Sequence, residues 1–99
     1  MDGGRADMGG TENFEWDDNK AIRNHAKHDV TFEEAINVFD DLYAIDELDD
    51  RETYGEKRFS LIGMVGNRLL KVIYTERGER IRIISARKAT KHERENYCG

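Results

Sequence analysis

The chain has 99 residues, of which 37% are hydrophobic and 37% charged, and its formal net charge is −5. That length suits one domain with one core. No apolar run approaches the roughly 20 residues of a membrane-spanning helix, and Met1 to Asn13 has no apolar stretch to serve as a signal peptide. A cytoplasmic protein is therefore expected, and the lone cysteine, Cys98, fits a reducing compartment and excludes an internal disulfide.

Charge is distributed unevenly. Residues 1–57 hold 6 Lys+Arg against 17 Asp+Glu, a balance of −11, and residues 58–99 hold 10 against 4, a balance of +6. A basic half on an acidic protein suits a local site for a polyanion, because phosphate attraction follows local potential. Mutual neutralisation of the halves across the fold is the other reading.

In chain order, residues 1–12 read as a disordered leader or an expression remnant, with four glycines and few apolar residues. A single domain is expected over residues 13–99. Phe14-Glu15-Trp16 is a short extended piece. Asp17 is an N-cap for a helix to about Lys27, with Ala21, Ile22 and Ala26 as its apolar stripe. Asp29 breaks it, since Asp tolerates the left-handed conformation.

A second helix begins with a capping box, Thr31 with Glu34, and buries Phe32, Ala35, Ile36, Val38 and Phe39 before ending at Asp40-Asp41. Leu42 to Ile45 reads as a short strand. Asp46 to Glu56 carries six acids without apolar period and reads as a solvated loop in preference to a divalent-metal site, lacking the glycine spacing of a calcium loop.

Three strands follow, Phe59–Val65, Leu69–Thr75 and Arg80–Arg87, joined at Gly66-Asn67 and around Arg77-Gly78. Loops this short force antiparallel neighbours, hence a meander. Thr90 and Glu93 form another capping box, opening a short final helix. The expected class is α+β, with helices on one face of the sheet and the opposite face free for polar work.

Arginine is concentrated on the expected strands. Period two puts Ser85 and Arg87 on one face, and Arg80 and Arg82 on the other unless a bulge intervenes. These arginines either decorate a solvated face or serve phosphate chemistry. Metal-free RNA cleavage needs a 2′-hydroxyl to attack the adjacent phosphate in line, and fixed guanidinium groups stabilise the charge gathered in the transition state. Ser85 can position a phosphate oxygen.

Lys27 and His28 offer an acid and a base, or simply oppose the helix dipole. Tyr74 can stack on a base, or pack. His25 and His92 lack a spacing that would suggest zinc. No metal or other cofactor is expected.

The order of several fragments resembles the BrnT family: Phe14-Glu15-Trp16-Asp17, Lys20, Asn24, Lys27-His28, Phe32-Glu33-Glu34-Ala35 and Val38-Phe39, then Glu56 to Arg58 with Ile62-Gly63. Val72-Ile73-Tyr74-Thr75, Ile81 to Arg87 and Glu93-Arg94 with Tyr97 complete the match. Two positions depart from the family pattern: Asp29 where glycine usually follows Lys-His, and Leu42 where proline is common.

The resemblance implies a RelE-like fold, a small antiparallel sheet (the meander plus short N-terminal strands) with two N-terminal helices and a short C-terminal one. It implies a toxin ribonuclease that arrests translation and is neutralised by a BrnA-type ribbon–helix–helix antitoxin. The pair would form a two-plus-two assembly that binds its operator DNA through the antitoxin. By motif position it implies catalytic roles for Arg58, Ser85 and Arg87, with Lys27 and His28 behind them, and RNA-binding roles for Tyr74 and Arg82. A non-catalytic module that binds a protein or nucleic acid through the basic half is the alternative.

Overall fold

The computed structural model describes residues 8–49 and 55–98. Within them the chain forms β1 (Met8–Gly10), β2 (Phe14–Asp17), α1 (Asp18–His28), α2 (Phe32–Ala35) continuing as a 3-10 helix (Ile36–Asp40), and β3 (Ile45–Asp49). Then come β4 (Arg58–Val65), β5 (Arg68–Arg77), β6 (Arg80–Lys88) and α3 (Lys91–Cys98). The strands make one six-stranded sheet in the order β1-β2-β6-β5-β4-β3. The class is α+β, as expected. The sheet is mixed, however, because β2 runs parallel to β6, pairing Phe14 with Ile81 and Glu15 with Arg82.

The meander forms where the turn chemistry places it. Gly66 and Gly78 both take φ 62°, a conformation that costs glycine nothing, at the start of two-residue loops. Asp17 caps α1 by accepting from the backbone N–H groups of Asn19 and Lys20 at 2.8 and 3.1 Å. Asp29 closes it in the left-handed region, at φ 58° and ψ 37°.

Several local expectations need correction. Met8–Gly10, inside the span read as leader, is an edge strand paired with β2; residues 1–7 lie outside the described part. The strand expected at Leu42–Ile45 lies further on. Leu42 and Tyr43 are exposed, and Ile45–Asp49 pairs with β4, so the first part of the acidic loop is a strand. Residues 50–54 of that loop lie outside the described part. Pairing with a long neighbour outweighs the poor strand propensity of its three acids.

The third correction concerns α1. Its buried residue is Asn24; of the expected stripe Ala21 packs against the core, while Ala26 is exposed and Ile22 is 68% exposed. The Asn24 carboxamide donates to Val30 O at 3.0 Å and Ala86 O at 2.8 Å, and accepts from Ala86 N at 3.1 Å. Strand β2 covers only the first part of β6, and the carboxamide takes the place of a neighbouring strand at Ala86. An amide side chain matches a peptide group in donor and acceptor, so it satisfies a buried backbone edge.

The core lies between the N-terminal helices and one face of the sheet. Trp16, Val30, Phe32, Ala35, Val38, Leu61, Leu70, Val72, Tyr74, Ile83 and Ala86 form one buried cluster. Trp16 meets Phe32 edge-on, with ring centroids 5.8 Å apart. Helix α3 lies on the other face, where Glu93 reaches Lys71 and Arg87. That second face is therefore partly covered, not free as expected.

Candidate phosphate-binding face

The second face depends on an irregularity in β6. Ile73 pairs with Ser85, yet the next residue, Tyr74, pairs with Ile83, so Ile84 has no opposite number. This bulge shifts the alternation by one. Ile83 and Ala86 both face the core, three positions apart, and their neighbours Arg82, Ser85 and Arg87 share the opposite face. Without the extra residue, period two would divide them.

Cross-strand pairing sets the neighbours. Thr75 pairs with Arg82, Ile73 with Ser85, and Lys71 with Arg87. Phe59 pairs with Tyr74, so continuing the register by one sets Arg58 beside Thr75 and in the row of Arg82. Arg87 is two rows away. Four residues along a strand and two strand spacings put it about 13 Å along and about 10 Å across from Arg58. Arg82 is thus the nearer arginine partner of Arg58 by register, with Ser85 in the intervening row.

Each of these cations is held by a carboxylate. Arg87 meets Glu93 with two bonds of 2.9 Å, from Nη1 and Nη2 to separate oxygens. Lys71 Nζ reaches the same carboxylate at 3.3 Å. Arg82 Nη1 donates to Glu15 at 2.8 Å, and Arg58 Nε lies 3.5 Å from Glu56. Arg80 donates to the carbonyls of Thr11 and Phe14 and lies 3.8 Å from Glu15.

Glu93 also completes its expected capping box, accepting from Thr90 N at 2.9 Å while its own N–H donates to Thr90 Oγ1 at 3.2 Å. The Arg87 guanidinium, with the Thr90 N–H and Lys71 behind it, holds the Glu93 carboxyl well below the usual carboxylate range against the opposing effect of burial. At Thr31 only the hydroxyl half of the box forms, accepting from Glu34 N at 3.0 Å. The Glu34 carboxylate turns to Arg68 at 2.8 Å.

Other sequence candidates lie elsewhere. Tyr74 is 6% exposed on the core face, with Phe39 at 5.0 Å and Phe59 stacked at 5.3 Å. Its hydroxyl donates to Asp46, whose two oxygens both lie at 3.0 Å. Burial and that neighbouring carboxylate push the phenol well above its ordinary value. The ring is therefore packed on the core side, between Phe39 and Phe59.

Lys27 and His28 end α1, exposed and half-buried respectively. Among the described residues they make no hydrogen bond or ion pair to the arginine face. Also among the described residues, no three of His, Cys, Asp and Glu group to hold a metal ion, and no helix is long and apolar enough to cross a membrane.

Sequence reasoning gave Glu93 only its cap and gave Glu15 and Lys71 no role. Glu15 was legible by alternation with Trp16, whose indole must face the core. Lys71 was legible by alternation with Leu70 and Val72. The Glu93–Arg87 contact depends on how α3 folds back over the sheet.

These features define a small α+β protein with a hydrophobic core on one side of its sheet and, on the other, a row of cations held by carboxylates. A family model described as the ribonuclease toxin BrnT of a type II toxin–antitoxin system matches residues 16–93. The chain belongs to that family, whose members are ribonuclease toxins with an antitoxin partner. No curated protein matches the chain.

Proposed function

We propose that the protein is a metal-independent endoribonuclease that arrests translation, acting in the cytoplasm until a BrnA-type ribbon–helix–helix antitoxin neutralises it. The observation that carries the reading is the bulge at Ile84, which sets Arg82, Ser85 and Arg87 on one face with Arg58 in the row of Arg82. In the proposed step the 2′-oxygen attacks the adjacent phosphorus and the bond to the 5′-oxygen breaks. The products are a 2′,3′-cyclic phosphate and a 5′-hydroxyl, which takes up the proton the 2′-hydroxyl lost. Arg58, Arg82 and Arg87 stabilise the equatorial oxygens and Ser85 orients one of them.

A guanidinium has five donors, so one held by a carboxylate keeps N–H groups for phosphate and is oriented in advance. Lys27 and His28 remain the acid–base candidates and act by approach of the substrate across the edge of β6. An antitoxin segment laid over the arginine face would block it, in a two-plus-two complex that binds operator DNA through the antitoxin.

Expression without a partner, followed by RNA integrity and growth, tests the reading. Growth arrest with RNA fragments bearing cyclic-phosphate ends, insensitive to chelator, is expected. Arrest should disappear for Arg58→Ala, Arg82→Ala and Arg87→Ala in protein that remains folded. Full toxicity of all three variants would remove this face from the chemistry.

The alternative, a non-catalytic module, draws on a specific observation: every cation of the face has a carboxylate partner, and among the described residues neither Lys27 nor His28 is hydrogen-bonded to it. Intact RNA in arrested cells would favour it.

A further inference from the structure

At the end of the sheet, where α1 stops, β4 turns into β5 and α3 begins, lies an open cleft of about 430 Å³ lined by Asp29, Asn67, Arg68, Leu69, Lys88 and Arg94. Its lining is largely polar and carries three cations against one carboxylate. We propose that this cleft is a second, anchoring site for a backbone phosphate of the RNA strand, bound by Lys88 and Arg94 in front of a fixed Arg68. The proposal rests on the ribonuclease reading above.

The charges differ here from those on the sheet face. There each cation lies beside a carboxylate, with Glu15 shared by Arg80 and Arg82 and Glu93 shared by Lys71 and Arg87. In the cleft, neither Lys88 nor Arg94 makes an ion pair among the described residues, and both are exposed. Local attraction for a polyanion is strongest at cations without a carboxylate beside them, so exposed Lys88 and Arg94 extend the positive field of the face to this end of the sheet.

Arg68 supplies the rigid wall. Its Nη1 donates to Glu34 Oε2 at 2.8 Å and its Nη2 to Asp29 O at 2.8 Å, which tie the turn to both N-terminal helices. The backbone is fixed as well, since Ala89 N donates to Leu69 O at 2.9 Å. The one acid in the lining, Asp29, has its carboxylate 3.8 Å from His25 Nε2 on the helix surface.

Continuity with the arginine face gives the cleft its role. Arg87 and Lys88 are successive residues of β6, and the Arg87 side chain donates to the Lys88 carbonyl at 3.0 Å. A strand whose scissile phosphate lies on the face beside Arg87 passes over this end of the sheet, where a neighbouring phosphate meets Lys88 and Arg94. Phosphate contacts of this kind set register and affinity without taking part in bond breaking.

The test uses the full chain and a short labelled RNA with 2′-O-methyl groups, which binds but lacks the attacking hydroxyl. For the double variant Lys88→Gln, Arg94→Gln, binding should weaken about tenfold and the slope of log affinity against log salt should flatten by about 0.7, the value for one single-strand phosphate contact. Turnover of unmodified RNA at saturation should stay within about twofold, because the loss is one of uniform binding.

Unchanged affinity and salt slope would overturn the proposal while leaving the ribonuclease reading intact, as would a wild type that does not bind the RNA at all. A fall in saturated turnover would also overturn it, making these cations part of the reaction. If the variant loses affinity for the antitoxin and keeps its affinity for RNA, the cleft belongs to the protein partner. A wild type that binds the RNA but never cleaves the unmodified strand refutes the ribonuclease reading alone.

Discussion

The two carboxylate oxygens of Glu93 meet the two terminal nitrogens of Arg87 one-to-one, each pair at 2.9 Å. The side chain of Glu93 is only 16% exposed. In this geometry the charge-assisted bonds are among the stronger polar contacts a small domain can make. The same carboxylate caps α3, so one side chain orients a candidate catalytic arginine and docks the last helix.

Glu93→Gln should therefore destabilise the fold by about 1–2 kcal/mol at neutral pH. Because the folded carboxyl is held below its ordinary 4.5, its stabilisation is complete above that pH and is lost as the pH falls toward the folded value. Urea unfolding measured at neutral pH and below pH 4 checks this. The variant should lose less stability than the wild type across that interval.

Tyr74→Phe separates packing from substrate binding. It keeps the ring between Phe39 and Phe59 and removes the hydrogen bond to the exposed Asp46. A stability loss of about 1 kcal/mol is expected, with RNA cleavage within about twofold of wild type. A large loss of cleavage in a folded variant would return Tyr74 to the site.

Asn24→Ala removes three hydrogen bonds and leaves the Ala86 N–H and C=O and the Val30 C=O without that partner. Unsatisfied buried groups are costly, and a loss of about 2–4 kcal/mol is expected. Asn24→Asp should do no better, since a carboxylate accepts only and would face two carbonyls. Denaturant midpoints for both variants check it; near-wild-type values would show that water replaces the carboxamide.

Asp29→Gly should raise stability by about 0.5–1 kcal/mol, because glycine is the residue of choice at φ 58° after a helix. The ion pair lost with His25 joins two exposed groups and contributes little. The same change removes the single carboxylate from the cleft lining, so the 2′-O-methyl RNA should bind more tightly. Thermal melting and binding read the two effects separately.

Much of this fold was legible because its signals are local. The caps at Asp17, Thr31 and Thr90, the left-handed stop at Asp29 and the glycine turns all stand where short-range chemistry puts them. The misses are non-local. β3 is a strand because β4 lies beside it, and Asn24 is buried because β6 needs a partner there. For the same reason an apolar stripe through Ile22 misjudged the buried side of α1. On β6, alternation alone separated Arg82 from Ser85 and Arg87; only the pairing of Tyr74 with Ile83 reveals the unpaired Ile84.

The outer margin of β3 bears on how the protein behaves in concentrated solution. That strand ends the sheet, and Asp46, Glu47 and Asp49 stud it. Two copies aligning these margins would bring their carboxylates together, which disfavours fibre-like stacking through this side. The guard is electrostatic, and concentrated salt weakens it.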